Sequence, residues 1–275
     1  MTQSVATLLR ARGLYPKKGL GQNFLTDPVA LGRILEAADL SPEDRVVEVG
    51  AGLGTLTRPL AERVGSVVAV ELDPRLVDIL RERLADLSNV RIIQGDILNI
   101  QDPGFPHLSY KVVASLPYYI TSAILRHFLE RVPQPRLMVV TVQREVAQRI
   151  VAGPGEMSLL AVSVQFYGRP RIVARIPAGA FYPRPKVDSA VVRIDVGQEP
   201  TVALAEGLDA AAFFRVARAG FGQKRKKLRN SLSAGLGLPV DRIEAALLET
   251  GVAPARRAET LSLKEWARVV KAILA

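Results

Sequence analysis

Apolar residues in the middle of the chain fall in short runs of strand length, separated by stretches in which apolar and polar positions follow a helical period. The runs are Arg45–Val49, Val67–Val70, Val90–Ile93, Lys111–Ala114 and Leu137–Val142. Helices are expected between or beside them over 28–38, 55–64, 74–87, 121–131 and 144–151. Strands that are apolar at almost every position must be covered on both faces, which indicates a parallel sheet between helices. Asp27-Pro28 and Asp73-Pro74 each read as an N-cap followed by proline at the first helical position. Residues 1–27, with Gly13, Gly19, Gly21 and Lys17-Lys18, read as irregular and basic. Beyond Val151 the rhythm changes. Segments 171–176 and 189–196 read as a hairpin closing the sheet, joined through Phe181-Tyr182-Pro183-Arg184-Pro185. Residues 197–208 read as a linker, and helical periodicity alone follows over 209–220, 224–234, 239–250 and 262–274. The expected architecture is an α/β domain over 1–197, its sheet ended by an antiparallel hairpin, then a small all-α domain over 198–275.

Composition narrows the chemistry. With 48% apolar and 23% charged residues in 275, the chain buries a substantial core. There is no cysteine, which excludes disulfides, thiolate metal sites and thiol catalysis. The two histidines, His107 and His127, are too few for a histidine-rich metal site and read as surface positions of a loop and a helix, so no metal is expected. No apolar run approaches the ~18 residues of a membrane span. Met1-Thr2-Gln3-Ser4 lacks the basic-then-apolar pattern of a secretory signal. A cytoplasmic protein, monomeric and without a membrane partner, is expected. The net charge of +10 favours polyanions. From Phe213 to Asn230 there are seven basic residues and no acid to pair with them along a helix. Arg218, Lys224, Arg225, Lys226, Lys227 and Arg229 are therefore the candidate nucleic-acid contacts.

Candidate binding residues gather at the ends of the strands. Val46-Val47-Glu48-Val49 runs into Gly50-Ala51-Gly52-Leu53-Gly54 and then a helix. Such a turn lets a ligand approach the backbone. The spacing is G-x-G-x-G rather than the dinucleotide pattern G-x-G-x-x-G, and Glu48 precedes the loop by two positions. A pyrophosphate is repelled there, whereas a cationic ligand such as the sulfonium methionine moiety of S-adenosylmethionine is favoured. The next strand ends in Val70-Glu71-Leu72-Asp73, where Glu71 is placed to accept from ribose hydroxyls and Asp73 caps the helix. The third ends in Gln94-Gly95-Asp96-Ile97, offering a carboxylate to an adenine amine and a backbone N–H to its ring.

The fourth strand ends in Ser115-Leu116-Pro117-Tyr118. An adenine amine is a poor nucleophile because its lone pair is delocalised into the ring. Acceptors on both N–H groups, held by a rigid turn, favour a pyramidal and more nucleophilic nitrogen. Ser115 Oγ and the Leu116 carbonyl are candidates for these acceptors, and Tyr118 for a stacking partner of an unstacked base.

Together these motifs resemble the bacterial small-subunit ribosomal RNA adenine N6-dimethyltransferase family over nearly the whole chain. The resemblance begins at Gly21-Gln22-Asn23-Phe24-Leu25 and continues through Glu48–Gly54, Glu71, Gly95-Asp96 and Ser115–Tyr118. It then takes in Phe181–Ser189, Phe221–Leu232 and Arg257–Leu261. It implies a Rossmann-like methyltransferase sheet with S-adenosylmethionine contacted by Gln22, Asn23, Leu25, Gly50, Gly52, Glu71, Leu72, Asp96, Ile97 and Ser115. It implies a catalytic set of Ser115, Leu116, Pro117 and Tyr118, with Phe181 flanking the adenine opposite Tyr118. The implied substrate is a pair of adjacent adenines near the 3′ end of small-subunit rRNA, in a partly assembled subunit, each receiving two methyls. The chain departs from the family at Ser115, where asparagine is usual, and at Tyr119, where a polar residue is usual. A serine hydroxyl also accepts a hydrogen bond but is shorter and less fixed, so a slower second methylation is expected. Alternatives are a large-subunit rRNA methyltransferase of the erythromycin-resistance type, a non-catalytic rRNA-binding assembly factor and, on the glycine turn alone, a nicotinamide-dependent oxidoreductase.

Overall fold

Side chains at Ser4, Asp27, Asp73, Ser158 and Asp209 each accept a hydrogen bond from a backbone N–H two or three residues on, so five helices begin where the local sequence offers a cap. A computed structural model describes residues 4–101, 104–105 and 109–274. His107 and Met1–Gln3, on which two of the expectations rest, lie outside the described residues.

The chain forms two compact units, Met1–Ala147 with Pro170–Gln198, and Gln148–Arg169 with Glu199–Ala275. In chain order the elements are α1 (Val5–Ala11), β1 (Phe24–Leu25), α2 (Pro28–Ala38), β2 (Arg45–Val49), α3 (Thr57–Ala61), β3 (Ser66–Glu71), α4 (Pro74–Arg83) and β4 (Val90–Gln94). There follow β5 (Lys111–Ser115), α5 (Thr121–Leu129), β6 (Leu137–Gln143), α6 (Arg144–Ile150), α7 (Leu159–Tyr167), β7 (Gly168–Ile176), β8 (Phe181–Tyr182) and β9 (Ser189–Val196). The last are α8 (Ala210–Phe221), α9 (Leu228–Leu236), α10 (Val240–Glu249) and α11 (Leu263–Leu274).

The sheet has seven strands in the order β4-β3-β2-β5-β6-β9-β7. The pairs among β4, β3, β2, β5 and β6 are parallel, and β9 joins β6 antiparallel with Ser189 opposite Gln143. Chain progression reverses between β2 and β5, so the C-terminal ends of those strands flank a crevice of the kind that receives ligands in open α/β sheets. Ile34, Val46, Val67, Val113, Val139 and Val191 form a core of the α/β unit. At the start of β5 the buried Lys111 Nζ is 2.8 Å from Asp44 and donates to the Ala38 carbonyl, so its charge is both paired and hydrogen-bonded. No helix among the described residues is long and apolar enough to cross a membrane.

Three differences from the sequence reading have physical causes. The stretch read as irregular contains α1, whose Leu8 and Leu9 pack with Phe24, Leu53, Leu76 and Ile79. Its apolar spacing is visible in the sequence but spans only 7 residues, too few to stand without tertiary contacts. The linear division at 197/198 differs from the observed one because 148–169 packs with the C-terminal helices. Helix α7 has almost no polar face, so it shows no amphipathic period, and its Phe166 lies against Phe213 and Phe214 at 4.6 and 5.0 Å. Finally, Lys224–Lys227 form a turn, and α9 begins only at Leu228. Four consecutive cations in a first helical turn repel one another and oppose the helix dipole. In the same unit, a Cβ on Gly220 would lie 2.4 Å from Trp266, so that glycine is a packing requirement of α8 rather than its terminus.

Candidate active site

The loop after β2 turns at Gly50 and Gly52, with φ of 73° and 57°, a conformation that disfavours any side chain. Gly50 N donates to the Val70 carbonyl at 2.8 Å, which ties the loop to the end of β3. Gly52 N donates to Glu71 Oε2 at 2.8 Å and Asp73 N to Glu71 Oε1 at 2.9 Å. Glu71 is thus aimed by two backbone donors, and its remaining lone pairs are available to hydroxyl groups. Burial raises its pKa, and those N–H groups partly offset the rise.

Glu48 is buried deeper. Its Oε2 has no hydrogen-bond partner, and neither has Thr57 Oγ1. Burial pushes the Glu48 carboxyl up to about 8, with the neighbouring Thr57 hydroxyl opposing the rise and the charge of Glu71 adding to it. The acid read as a standing negative charge therefore largely keeps its proton at pH 7. Asp96 caps a short 3-10 turn through Leu98 N at 2.9 Å and also faces the cavity, so it serves a turn and a ligand site at once.

The N-terminal segment forms the cover. Gln22 lies at the cavity, but its amide is occupied: Oε1 accepts from Lys17 N at 2.7 Å and Nε2 donates to Asp73 Oδ2 at 3.0 Å. Asp73 also binds Arg75, and that pair above all, with Gln22, holds its carboxyl well below the usual carboxylate range. This anchor joins residues 51 apart and leaves no local signal in the sequence. Asn23 Nδ2 donates to the Gly21 carbonyl. β1 pairs antiparallel with β8, Leu25 opposite Phe181, so the cover and Phe181 form one small sheet.

At the end of β5, Leu116 N donates to the Thr141 carbonyl at 3.0 Å. The Pro117 carbonyl is taken by Ile120 N and Thr121 Oγ1, which fixes the turn. Tyr118 is half-buried, its hydroxyl 2.7 Å from the fully buried Ser189 Oγ. Burial raises the Tyr118 pKa, and the bond to Ser189 opposes that rise. Ser115 Oγ takes no part in the hydrogen bonds that tie down Tyr118 and Thr121.

All ten residues of the expected cofactor set, together with Leu116, Pro117, Tyr118 and Phe181, line one open-mouthed cavity at the switch point. Sequence reading did not select Leu20, Thr55, Leu56 or Leu76 from its wall. These come from loops and helix faces that carry no chemical signature. An adenosyl ligand with a cationic amino-acid end fits this wall. The glycine turn leaves room for it, carboxylates stand at the ends of β3 and β4, and an orphaned acid lies below.

In the helical unit, Arg218 and Lys224–Lys227 are exposed. Arg229 differs: half-buried, it is 2.7 Å from Glu244, so its charge is already compensated. His127 lies on α5, half-buried.

The model of the ribosomal RNA adenine dimethylase family matches residues 14–274. The ribosomal RNA small subunit methyltransferase A of Dehalococcoides mccartyi is 52% identical over 92% of this chain and 87% of its own. That of Moorella thermoacetica is 42% identical over 97% and 95%. Among solved structures, the 23S rRNA methyltransferase ErmE superposes with a TM-score of 0.71 at 32% identity, covering 92% of this chain and 100% of its own.

Proposed function

The chain belongs to the ribosomal RNA adenine dimethylase family, and from that premise we propose that it dimethylates N6 of two adjacent adenines in a 3′-terminal loop of small-subunit rRNA. S-adenosylmethionine, when bound, supplies an electrophilic methyl on a sulfonium. Glu71 accepts from the ribose hydroxyls, Asp96 from the adenine amine and Ile97 N–H donates to the ring. Gly50 and Gly52 let the amino-acid end lie on backbone, with Glu48 ionising beneath the positive charge. Gln22, Asn23, Leu25 and Leu72 close the site.

The target adenine leaves its stack and enters between Tyr118 and Phe181. Ser115 Oγ and the Leu116 carbonyl accept from its amine, and Pro117 keeps the turn rigid. The methylated nitrogen is acidic and loses its proton to water, so no strong base is needed. The observation that carries this reading is a single cavity holding both the three strand-end acids and the Ser115–Tyr118 turn. Arg218 and Lys224–Lys227 neutralise rRNA phosphates, while Arg229 ties α9 to α10 through Glu244. The substrate is a partly assembled subunit in the cytoplasm, bound by a monomer.

A large-subunit target is the competing reading, favoured by the likeness to ErmE. The small-subunit relatives are more similar in sequence, at up to 52% identity. Transfer of tritiated methyl to undermethylated small subunits, with primer extension on both rRNAs, tests the proposal. Label on adjacent small-subunit adenines is expected. Label confined to large-subunit rRNA, or none, overturns it.

A further inference from the structure

Tyr119 has no role in the account above, yet it lines the same cavity while 56% of it remains exposed. It follows Tyr118 in the 3-10 turn Tyr118–Ile120. Successive side chains of such a turn point about 120° apart. Tyr118 turns inward to Ser189, and Tyr119 turns out to the rim. One side of the Tyr119 ring is backed by the cover segment. A Cβ on Gly21, whose φ is 62°, would stand 3.4 Å from Tyr119 Cδ1 and 3.5 Å from Pro117 Cβ. The ring is therefore placed by the turn and its backing, with most of its surface in water beside the pocket.

We propose that Tyr119 is a stacking platform for the nucleobase next to the adenine held between Tyr118 and Phe181. An adenine that enters the cavity breaks its stack on its neighbour, and that neighbour loses one covered face. An aromatic ring at the rim covers it again, and does so for any base because every base has a π-face. The ligand class is one unpaired nucleobase, with purines favoured by their larger face. On a substrate of two adjacent adenines, the platform holds one while the other occupies the cavity. A polar side chain at this position offers no such surface.

The inference rests on the function proposed above, and one experiment separates the two. Steady-state methyl transfer to undermethylated small subunits is measured for the wild type and for Tyr119→Ala, Tyr119→Asn, Tyr119→Phe and Tyr119→Trp. Y119A and Y119N are expected to raise KM for the subunit by about ten-fold, the size of one lost base stack, with kcat changed far less. Y119F and Y119W restore KM, since the ring and not the hydroxyl acts. The Kd for S-adenosylmethionine, by calorimetry, stays at the wild-type value in all four. Y119A within two-fold of wild type overturns the platform, as does a Y119F defect equal to that of Y119A. A matching loss of cofactor affinity overturns it too, because the residue would then be supporting the fold of the site. Absence of transfer by the wild type overturns the function itself, and the platform with it.

Discussion

Glu48 and Glu71 in the α/β unit are carboxyls taken out of water, Glu71 aimed by two backbone N–H groups, whereas Lys224–Lys227 in the helical unit are four cations left in water on a turn. Removing a carboxyl from water costs several kcal/mol unless it is compensated. Two N–H groups compensate Glu71, and protonation compensates Glu48. A buried, aimed acid is already oriented before a ligand arrives, which suits recognition of one small molecule. Exposed lysines avoid that cost and find phosphates wherever a polyanion presents them, gaining affinity through counterion release. Arg229 shows the boundary between these modes: it lies close to the turn, yet its charge is paired with Glu244.

The comparison is broken most directly at Glu71. Glu71→Gln replaces an oriented acceptor by a donor, and loss of charge-assisted bonds worth about 1.5–3 kcal/mol each weakens S-adenosylmethionine binding by about 100-fold in calorimetry. RNA binding stays near wild type. The reverse variant, Lys224→Ala with Arg225→Ala and Lys227→Ala, weakens RNA binding by about ten-fold or more. It also lowers the slope of log affinity against log salt by up to about 2.7, near 0.9 for each lost phosphate contact. Cofactor affinity is unchanged, and fluorescence anisotropy across a salt series reads the difference. If both variants damaged both ligands alike, the division of labour would be wrong.

Glu48 gives the pH test. A cationic ligand favours its ionised form, so cofactor binding releases a proton below about pH 8. Affinity then rises with pH towards 8, at most about ten-fold per unit, and levels off above; Glu48→Gln flattens the profile. Stability runs the other way. The folded carboxyl keeps its proton where the unfolded chain has lost it, so stability falls as pH rises from the ordinary carboxylate range to about 8. In E48Q, Tm loses that slope. The smallest effect is expected at Ser115. Ser115→Asn restores the longer acceptor and speeds the second methylation by roughly two- to three-fold relative to the first, the difference between a loosely and a well-held hydrogen bond. An unchanged or slower second step refutes that role for the side chain.

Much of the site is legible because its parts sit at ends of elements that local sequence already defines. Gly50–Gly54, Glu71, Asp96 and Ser115–Tyr118 each follow an apolar run, and a strand must end where its run ends. What escaped reading lacks local marks. The anchoring of Gln22 by Asp73, the bond from Tyr118 to Ser189 and the pairing of Leu25 with Phe181 join residues 51, 71 and 156 positions apart. Helix α7 escaped because an element apolar on all sides has no period to detect.

The sequence by itself determined the strand and helix order, the glycine turn, the acids at strand ends and the basic segment, because each depends on neighbours along the chain. Only the tertiary structure decided that burial raises the Glu48 pKa, that Arg229 is paired with Glu244, that residues 148–169 belong with the C-terminal helices and that Tyr119 stays largely exposed beside the cavity. These depend on burial and on partners brought from far along the chain. Desolvation and pairing exist only once the chain has folded.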